Sequence, residues 1–192
     1  MAKILLINPS KWGRGITPIW IASHSAVLKS NYHQVKLFDS TFYENWSENE
    51  IKYNTSNNQY QPSNYHKYIN FNSKNIFESL QKNVAEYQPD VIFWSAFSSH
   101  IHGEGEYVNI QYGYELIKNL ETTAILVTGG LQPTADPKRM FHNFPKVDYF
   151  LRGETEFTLA ELVEKSHNHE LIKSDVKGLA YKSNGKVYRT NP

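Results

Sequence analysis

Small and polar residues follow two short apolar runs in the second half of this chain. The run 147–151 ends at Arg152-Gly153-Glu154, and the run 124–127 ends at Thr128-Gly129-Gly130. Glycine exposes backbone amides and lets the main chain approach a bulky or flat ligand closely, although a tight turn alone also uses it. Buried parallel strands end in this way when they deliver loops to a ligand. The two endings lie one helix apart in sequence, which predicts a binding site along one edge of an α/β sheet.

Two further loops follow earlier apolar runs. Ser95 closes the third run and either hydrogen-bonds a ligand nitrogen or caps the next helix. The loop 8–15 follows the first run and contains Trp12, which either stacks on a planar ligand or plugs the end of the sheet. The glycines of this loop match neither the Gly-x-Gly-x-x-Gly pattern of dinucleotide-binding folds nor the phosphate loop that ends in Gly-Lys-Ser/Thr. A nucleotide site of either kind is therefore not predicted.

Metal-ligating and nucleophilic side chains are sparse. His100 and His102 lie two positions apart, with Glu104 and Glu106 nearby, and this set either binds a metal or forms a solvated polar loop. Spacing fixes no third ligand, and both the helical His-Glu-x-x-His pattern and the Gly-x-Ser-x-Gly elbow are absent. Without cysteine, the chain has no disulfide, thiolate zinc site or iron–sulfur cluster of its own. We predict no metal site and no catalytic residue in this chain.

Length, charge and hydropathy narrow the class of protein. A chain of 192 residues is the size of one domain, and its net charge of +1 gives no reason to expect nucleic acid or an anionic membrane as a partner. The amino-terminal apolar run is too short for the core of a signal peptide. No run approaches the ~18 apolar residues of a membrane helix. We expect a cytoplasmic protein without a membrane span.

Apolar runs of strand length alternate with segments of helical periodicity. Strands are predicted at 4–7, 35–38, 91–94, 124–127 and 147–151, and helices at 18–30, 74–87, 107–120, 137–143 and 155–166. Asn184-Gly185, between the runs 179–182 and 186–189, predicts a carboxyl-terminal β-hairpin. Right-handed crossovers favour a doubly wound, mainly parallel five-stranded sheet with helices on both faces, in the flavodoxin-like order 2-1-3-4-5. Ligands bind such sheets at the carboxyl ends of the strands, beside the switch between strands one and three.

The segment 40–73 fits this pattern poorly. It is rich in Asn, Tyr and Ser, has few aliphatic residues, and is long for a loop inside a compact domain. A disordered insertion, a lid and a docking surface are all compatible with its length. Its eight aromatic residues are too many for a simple linker, so we expect an excursion that is partly ordered and packed on the domain.

Taken in order, these motifs resemble the amino-terminal cobalamin-binding domain of cobalamin-dependent radical S-adenosylmethionine enzymes. The resemblance covers nearly the whole chain outside 40–73. It rests on the opening strand with its Asn-Pro loop (3–9), the proline-started first helix (17–22), the second and third strands (32–39 and 89–95), the Gly-Gly turn (127–134), the Arg-Gly-Glu strand end (147–156) and the hairpin (178–187). Each motif is weak alone, whereas their order and spacing together are fairly specific.

The resemblance implies a corrinoid lying across the carboxyl edge of the sheet, with loop 8–15 under the corrin ring. Its nucleotide tail would enter a slot between strands three and four, where Ser95 faces the base of the tail and Gly129-Gly130 permit close approach. The cofactor-binding residues implied in this way are Asn8, Pro9, Ser10, Trp12, Gly13, Ser95, Phe97, Ser98, Gly129, Gly130, Leu131, Gln132, Arg152, Gly153 and Glu154.

Two sequence motifs of related proteins are absent from this chain, and their absence changes which cofactors and ligands we expect here. The Asp-x-His-x-x-Gly motif of other corrinoid proteins, whose His ligates cobalt, is absent, so we expect no His ligand from loop 8–15. Related radical enzymes often lack this His too, and the resemblance to them implies that the tail base is off the cobalt. His100 and His102 are remote candidates for that ligand. The Cys-x-x-x-Cys-x-x-Cys segment is absent too, so the iron–sulfur cluster and S-adenosylmethionine would belong to a missing carboxyl-terminal barrel, in cis or in trans. We expect residues 1–176 to form the cofactor-binding domain and 177–192 a hairpin or linker toward that barrel, within a fragment or a stand-alone module.

Two other functions stay open at this point. A degenerate fold of the same type that binds no cofactor would act as a scaffold or interaction module. A flavodoxin-like receiver would need clustered acidic residues after the first strand and a phosphoacceptor Asp near the third, and the chain has neither. The resemblance implies methyl transfer or related radical carbon chemistry in the parent enzyme, without naming a substrate.

Overall fold

The computed structural model describes residues 1–11, 18–47, 70–95 and 106–191. Seven strands in these ranges form one sheet, in the order β2-β1-β3-β4-β5-β6-β7. They are β1 (Lys3–Asn8), β2 (Gln34–Asp39), β3 (Val91–Ser95), β4 (Ile125–Gly129), β5 (Tyr149–Leu151), β6 (Leu179–Ser183) and β7 (Lys186–Arg189). The first five strands are parallel, and the β6–β7 hairpin joins β5 in antiparallel fashion. The predicted doubly wound order 2-1-3-4-5 and the terminal hairpin are confirmed.

Six α-helices lie within the described ranges. They are α1 (Ile19–Ser30), α2 (Ile76–Tyr87), α3 (Glu106–Ile117), α4 (Leu131–Ala135), α5 (Pro137–Asn143) and α6 (Glu156–His167), followed by a 3₁₀ turn at Lys173–Asp175. Local sequence sets some of their starts, since the side chain of Asn75 accepts the backbone N–H groups of Phe77 and Glu78 at the start of α2. The sequence pattern does not predict α4, because a helix of five residues is too short to show a period.

Alternate residues of the central strands pack against opposite layers of helices. Val91 and Phe93 of β3 face α1 and α6, whereas Ile92 and Trp94 face α2, α3 and α5. Both clusters are buried, so helices cover both faces of the sheet, as predicted. By the same alternation, Ser95 lies on the face of α1 and α6.

The described ends of the segment 40–73 pack on the domain. Tyr43 and Asn72 form a parallel bridge, with the N–H of Asn72 donating to the carbonyl of Phe42 at 2.7 Å. Trp46 is buried in the cluster that also contains helix α2. These contacts agree with an excursion whose ends are ordered, while residues 48–69 lie outside the described part of the chain.

Candidate functional site

The carboxyl ends of the parallel strands meet at one edge of the sheet. There Ser95, the last residue of β3, pairs in register with Gly129 of β4, which pairs in turn with Leu151 of β5. Ser95 is buried, and the hydroxyl of Thr128 donates to the carbonyl of Trp94 at 2.6 Å. The strand ends singled out from the sequence therefore converge on one rim, as the topology requires.

The loop after β1 is tied to the end of β2 by a polar cluster. Asn8 is buried, and its side-chain amide donates to Asp39 Oδ1 at 3.0 Å and to Thr41 Oγ1 at 3.3 Å. The hydroxyl of Ser40 lies within hydrogen-bonding distance of the Asn8 and Ser10 carbonyl oxygens, at 2.7 and 3.0 Å. The amide of Asn8 thus holds β1 to the segment after β2. Ser10 Oγ is buried and has no hydrogen-bond partner among the described residues.

Lys11, the next residue, fixes this loop to α3. Its Nζ lies 4.3 Å from the ring centroid of Trp46 and 4.4 Å from that of Tyr112, within the range of cation–π attraction. The same ammonium pairs with Glu115 Oε2 at 3.0 Å. Because two rings and a carboxylate already surround it, Lys11 anchors the loop and offers no free charge to a ligand.

The Gly-Gly turn after β4 and the Arg-Gly-Glu loop after β5 are joined through one threonine. Thr134 Oγ1 donates to the carbonyl of Gly130 at 2.7 Å and accepts the N–H of Gly153 at 2.8 Å. Gly130 and Gly153 have φ angles of 142° and 73°, a range that favours glycine. The structure therefore brings the two predicted loops together, through a residue that sequence reasoning missed.

Gly129 is explained by packing inside the protein. A Cβ placed on it would lie 2.8 Å from Thr155 Cγ2, 2.9 Å from Leu151 Cβ and 3.2 Å from the Leu151 carbonyl oxygen. The first two separations are shorter than real Cβ contacts. The missing side chain therefore makes room for β5 and the start of α6, and a contact between Gly129 and a cofactor stays a prediction.

Arg152 is directed toward the carboxyl-terminal residues. Its Nη1 donates to the carbonyl of Thr190 at 2.6 Å, and its backbone N–H donates to that of Gly178 at 2.8 Å. Its Nε is buried and has no hydrogen-bond partner in the part of the chain that the structure describes. Glu154, also a described residue, is exposed and forms no ion pair with Arg152. The two neighbouring charges of the Arg-Gly-Glu loop therefore have separate surroundings.

A buried histidine that sequence reasoning missed lies behind this rim. In α1, His24 Nδ1 lies 2.8 Å from the Trp20 carbonyl oxygen, and His24 Nε2 lies 2.8 Å from Thr155 Oγ1. A carbonyl oxygen only accepts, so Nδ1 carries the proton and Nε2 accepts from the hydroxyl of Thr155. Beside it, the hydroxyl of Ser23 donates to Glu156 Oε1 at 2.9 Å. The network joins α1 to the first turn of α6.

The charge state of this network follows from burial. Desolvation lowers the pKa of His24 below its ordinary value, although the Trp20 carbonyl and the Glu156 carboxylate act in the opposite direction. Partial burial raises the pKa of Glu156, but the hydrogen bonds from Ser23 and the backbone, together with His24, outweigh it and the net shift is downward. Near neutral pH the imidazole is therefore uncharged and the carboxylate is ionised.

We expect the free energy of unfolding to fall as the pH drops below 6.5, the ordinary pKa of histidine. The unfolded chain takes up a proton there that folded His24 does not, so this stability is complete above that pH and is lost below it. Urea denaturation from about pH 7.5 down to about pH 5 measures the loss. His24→Gln should flatten the dependence, apart from the share of His33, whose pKa burial also lowers. A His24→Gln variant with the wild-type slope would contradict this assignment.

The structure describes only some of the other predicted site residues. Pro9 lies in the loop after β1, and Leu131 opens α4 with 63% of its surface exposed. Outside the described residues lie Trp12, Gly13, Phe97, Ser98, His100 and His102, as does the side chain of Gln132. Within the described ranges, no three His, Asp or Glu side chains are grouped to hold a metal ion. None of the helices in those ranges combines the length and the apolar character that a membrane span requires.

Sequence signals existed for some of the residues that were missed. Thr155 belongs to the Arg-Gly-Glu-Thr-Glu motif, and His24 lies one helical turn after Trp20 on the buried face of α1. Nothing in the local sequence marks Thr134, because its role depends on two loops that only the sheet brings together.

Comparison with known proteins relates the chain to corrinoid proteins. Residues 64–163, just over half of the chain, match the family of B12 binding domains. An uncharacterized methyltransferase of Pyrococcus horikoshii is 29% identical over 116 residues, which are 60% of this chain and 24% of that protein. The chain therefore spans about a quarter of the length of this curated relative.

Two solved structures share the fold over the whole of this chain. One is the radical S-adenosylmethionine methyltransferase TsrM from Kitasatospora setae with cobalamin and a [4Fe-4S] cluster bound, at a TM-score of 0.69, 17% identity and 29% of that chain. The other is the cobalamin-dependent S-adenosylmethionine radical enzyme OxsB, at a TM-score of 0.63, 19% identity and 22% of that chain. The resemblance expected from the motifs is confirmed: the chain belongs to the B12 binding domain family, and its fold is that of the corresponding domain in cobalamin-dependent radical S-adenosylmethionine enzymes.

Proposed function

We propose that this chain binds a corrinoid across the carboxyl edge of its sheet and holds it for a radical S-adenosylmethionine enzyme. One observation carries the proposal: in a member of the B12 binding domain family, the Ser95–Gly129 pair lies on the same rim as the loops after β1 and β5. This rim adjoins the switch between β1 and β3, where ligands bind in doubly wound sheets.

Two buried polar atoms support the fit between these loops and a corrinoid. Ser10 Oγ and Arg152 Nε have no hydrogen-bond partner among the described residues. A buried polar group without a partner costs about 1–3 kcal/mol, so a ligand that supplies one is favoured. The amide side chains of a corrinoid both donate and accept hydrogen bonds, which suits a hydroxyl and a guanidinium N–H.

In this proposal the residues of the chain bind and orient the cofactor. The loop after β1, held in place by Asn8 and Lys11, would lie under the corrin ring, and Ser95 would face the base of the nucleotide tail. Loop 8–15 contains no His, so this loop would supply no imidazole ligand. If the tail enters its slot in the protein, its base would be held away from the cobalt. A bound corrinoid supplies a cobalt centre that accepts and transfers a methyl group.

The reaction itself is assigned in the proposal to a carboxyl-terminal radical barrel, in cis or in trans. That barrel would hold the iron–sulfur cluster and S-adenosylmethionine, and would carry out methyl transfer or related radical carbon chemistry. Residues 1–176 would be the binding unit, the hairpin 177–192 would lead toward the barrel, and the location would be cytoplasmic. The fold shared with TsrM and the match to about a quarter of a methyltransferase support this arrangement.

A second candidate is a scaffold of the same fold that binds no cofactor. The contacts around Gly129 favour it, because Leu151 and Thr155 account for the glycine without any ligand.

Hydroxocobalamin retention separates the two candidates. The chain is incubated with excess hydroxocobalamin and desalted, and its visible spectrum is recorded. Corrinoid absorbance retained at near-stoichiometric yield supports the binding proposal, and a colourless protein supports the scaffold.

Leu131→Glu locates the bound corrinoid. We expect about tenfold weaker retention or more, because a carboxylate against an apolar ring system loses solvation without gaining a partner. The fold should be unaffected, since Leu131 is 63% exposed. Ile172→Glu is the matched control, at an aliphatic residue with 59% exposure between α6 and β6. Equal retention by the two variants would move the corrinoid away from the start of α4.

A further inference from the structure

A histidine and a threonine pack behind Ser95 and Gly129. Phe93 lies two residues before Ser95 on the same face of β3, and its ring stacks on the imidazole of His24 with centroids 4.8 Å apart. His24 Nε2 accepts from Thr155 Oγ1 at 2.8 Å, and Thr155 Cγ2 occupies the space next to Gly129. The His24–Thr155 pair therefore extends from β3 to β4 directly behind the two rim residues.

Burying the His24–Thr155 pair costs more free energy than burying apolar side chains at the same interface would. His24 and Thr155 are each 1% exposed, and burial of an imidazole carries a desolvation cost that an aliphatic side chain would avoid. Thr155 stands at the position that caps α6, yet its side chain makes no capping hydrogen bond. A capping hydrogen bond is worth about 1 kcal/mol, so its absence indicates that the Thr155 hydroxyl is placed for its contact with His24.

We propose that the His24–Thr155 pair forms the floor of the slot that the nucleotide tail would enter at the carboxyl ends of β3 and β4, and that it selects corrinoids that carry this tail. The proposal rests on the proposed function. His24 belongs to α1 and Thr155 immediately precedes α6, so both residues are held in place by helices. The pair therefore limits how far the base of the tail enters. The corrin ring, lying on the rim, does not depend on it.

A purely structural role of the pair predicts a different result. If His24 and Thr155 only held α1 against α6, their loss would weaken the binding of every corrinoid alike. A floor for the tail acts on tailed corrinoids alone, so the ratio of two affinities distinguishes the roles.

The test uses hydroxocobalamin and cobinamide, a corrinoid that lacks the nucleotide tail. Dissociation constants are measured by visible absorption for the wild type, His24→Ala and Thr155→Ser. We expect the affinity of His24→Ala for hydroxocobalamin to fall about tenfold or more, and its affinity for cobinamide to change less than about twofold. Thr155→Ser removes only Cγ2 and keeps the hydroxyl bonded to His24. It should therefore lower the ratio of the affinity for hydroxocobalamin to the affinity for cobinamide by a smaller factor than His24→Ala does.

A matched control and a fold check complete the experiment. His33→Ala removes a buried histidine beyond the other end of α1, where its Nδ1 accepts the N–H of Ala2 at 3.4 Å, and it should leave the ratio unchanged. Thermal unfolding is recorded for every variant, and if His24→Ala does not fold, Thr155→Ser decides by the same ratio. Wild-type protein that binds neither probe would refute the proposed function itself. Wild-type protein that binds both, with an unchanged ratio in the folded variants, would refute this inference alone.

Discussion

Replacing Gly113 with alanine should lower the free energy of unfolding by about 3 kcal/mol. A Cβ at this position in α3 would lie 2.2, 2.4 and 2.7 Å from the Cδ1, Nε1 and Cγ atoms of Trp94. Trp94 is fully buried and its Nε1 donates to the carbonyl of Ile110 at 3.3 Å, so the ring cannot move aside without losing packing and a hydrogen bond. At an exposed helix position, replacing glycine with alanine would stabilise the helix by about 1 kcal/mol. A loss of stability in Gly113→Ala would therefore show that the new Cβ meets Trp94.

Urea denaturation of purified Gly113→Ala measures this loss. Gly185→Ala is the matched control, because a Cβ at this hairpin position has nothing within 4 Å. Its φ of +73° still makes alanine unfavourable there, by about 1 kcal/mol. Equal stability of the two variants would contradict the close approach of Gly113 to Trp94.

The central sheet could be predicted because its strands are buried on both faces. The segment 91–94 is apolar at every position, which is typical of a strand covered by helices on each side. Parallel strands separated by helices leave few arrangements once crossovers are right-handed, so the strand order followed from the pattern. Gly129 shows the limit of this reasoning: its residue type indicates a turn, yet it belongs to β4 because it pairs with Ser95 and Leu151.

The convergence of the strand-end loops at one edge could be predicted, whereas the contacts among their side chains could not. Every loop that follows a parallel strand reaches the same edge, whatever its side chains do there. The bond between His24 and Thr155 joins residues 131 positions apart, and that between Ser23 and Glu156 joins residues 133 apart. No local pattern encodes such partners, because the order of the strands brings them together. For the same reason, sequence alone could not show that the amide of Asn8 is already bonded within the protein.

Gly129→Ala should lower the free energy of unfolding by about 2 kcal/mol and weaken hydroxocobalamin retention along with it. The added Cβ meets Thr155 Cγ2 at 2.8 Å and Leu151 Cβ at 2.9 Å, so the end of β4 must shift away from β5 and α6. That shift displaces the strand end that forms one wall of the proposed slot. Urea denaturation gives the loss of stability, and retention is compared at a temperature where both proteins are folded.

The contact between residues 129 and 155 is isolated by a double-mutant cycle. Thr155→Ser removes the Cγ2 atom that the new Cβ would meet, so Gly129→Ala should be less destabilising by about 1 kcal/mol in the Thr155→Ser background. Recovery stays partial because Leu151 Cβ and the Leu151 carbonyl oxygen, at 2.9 and 3.2 Å, remain in place. Additive effects would mean that the strand end relaxes away from Thr155. Normal retention by folded Gly129→Ala would remove Gly129 from the cofactor-binding residues and leave its role as packing alone.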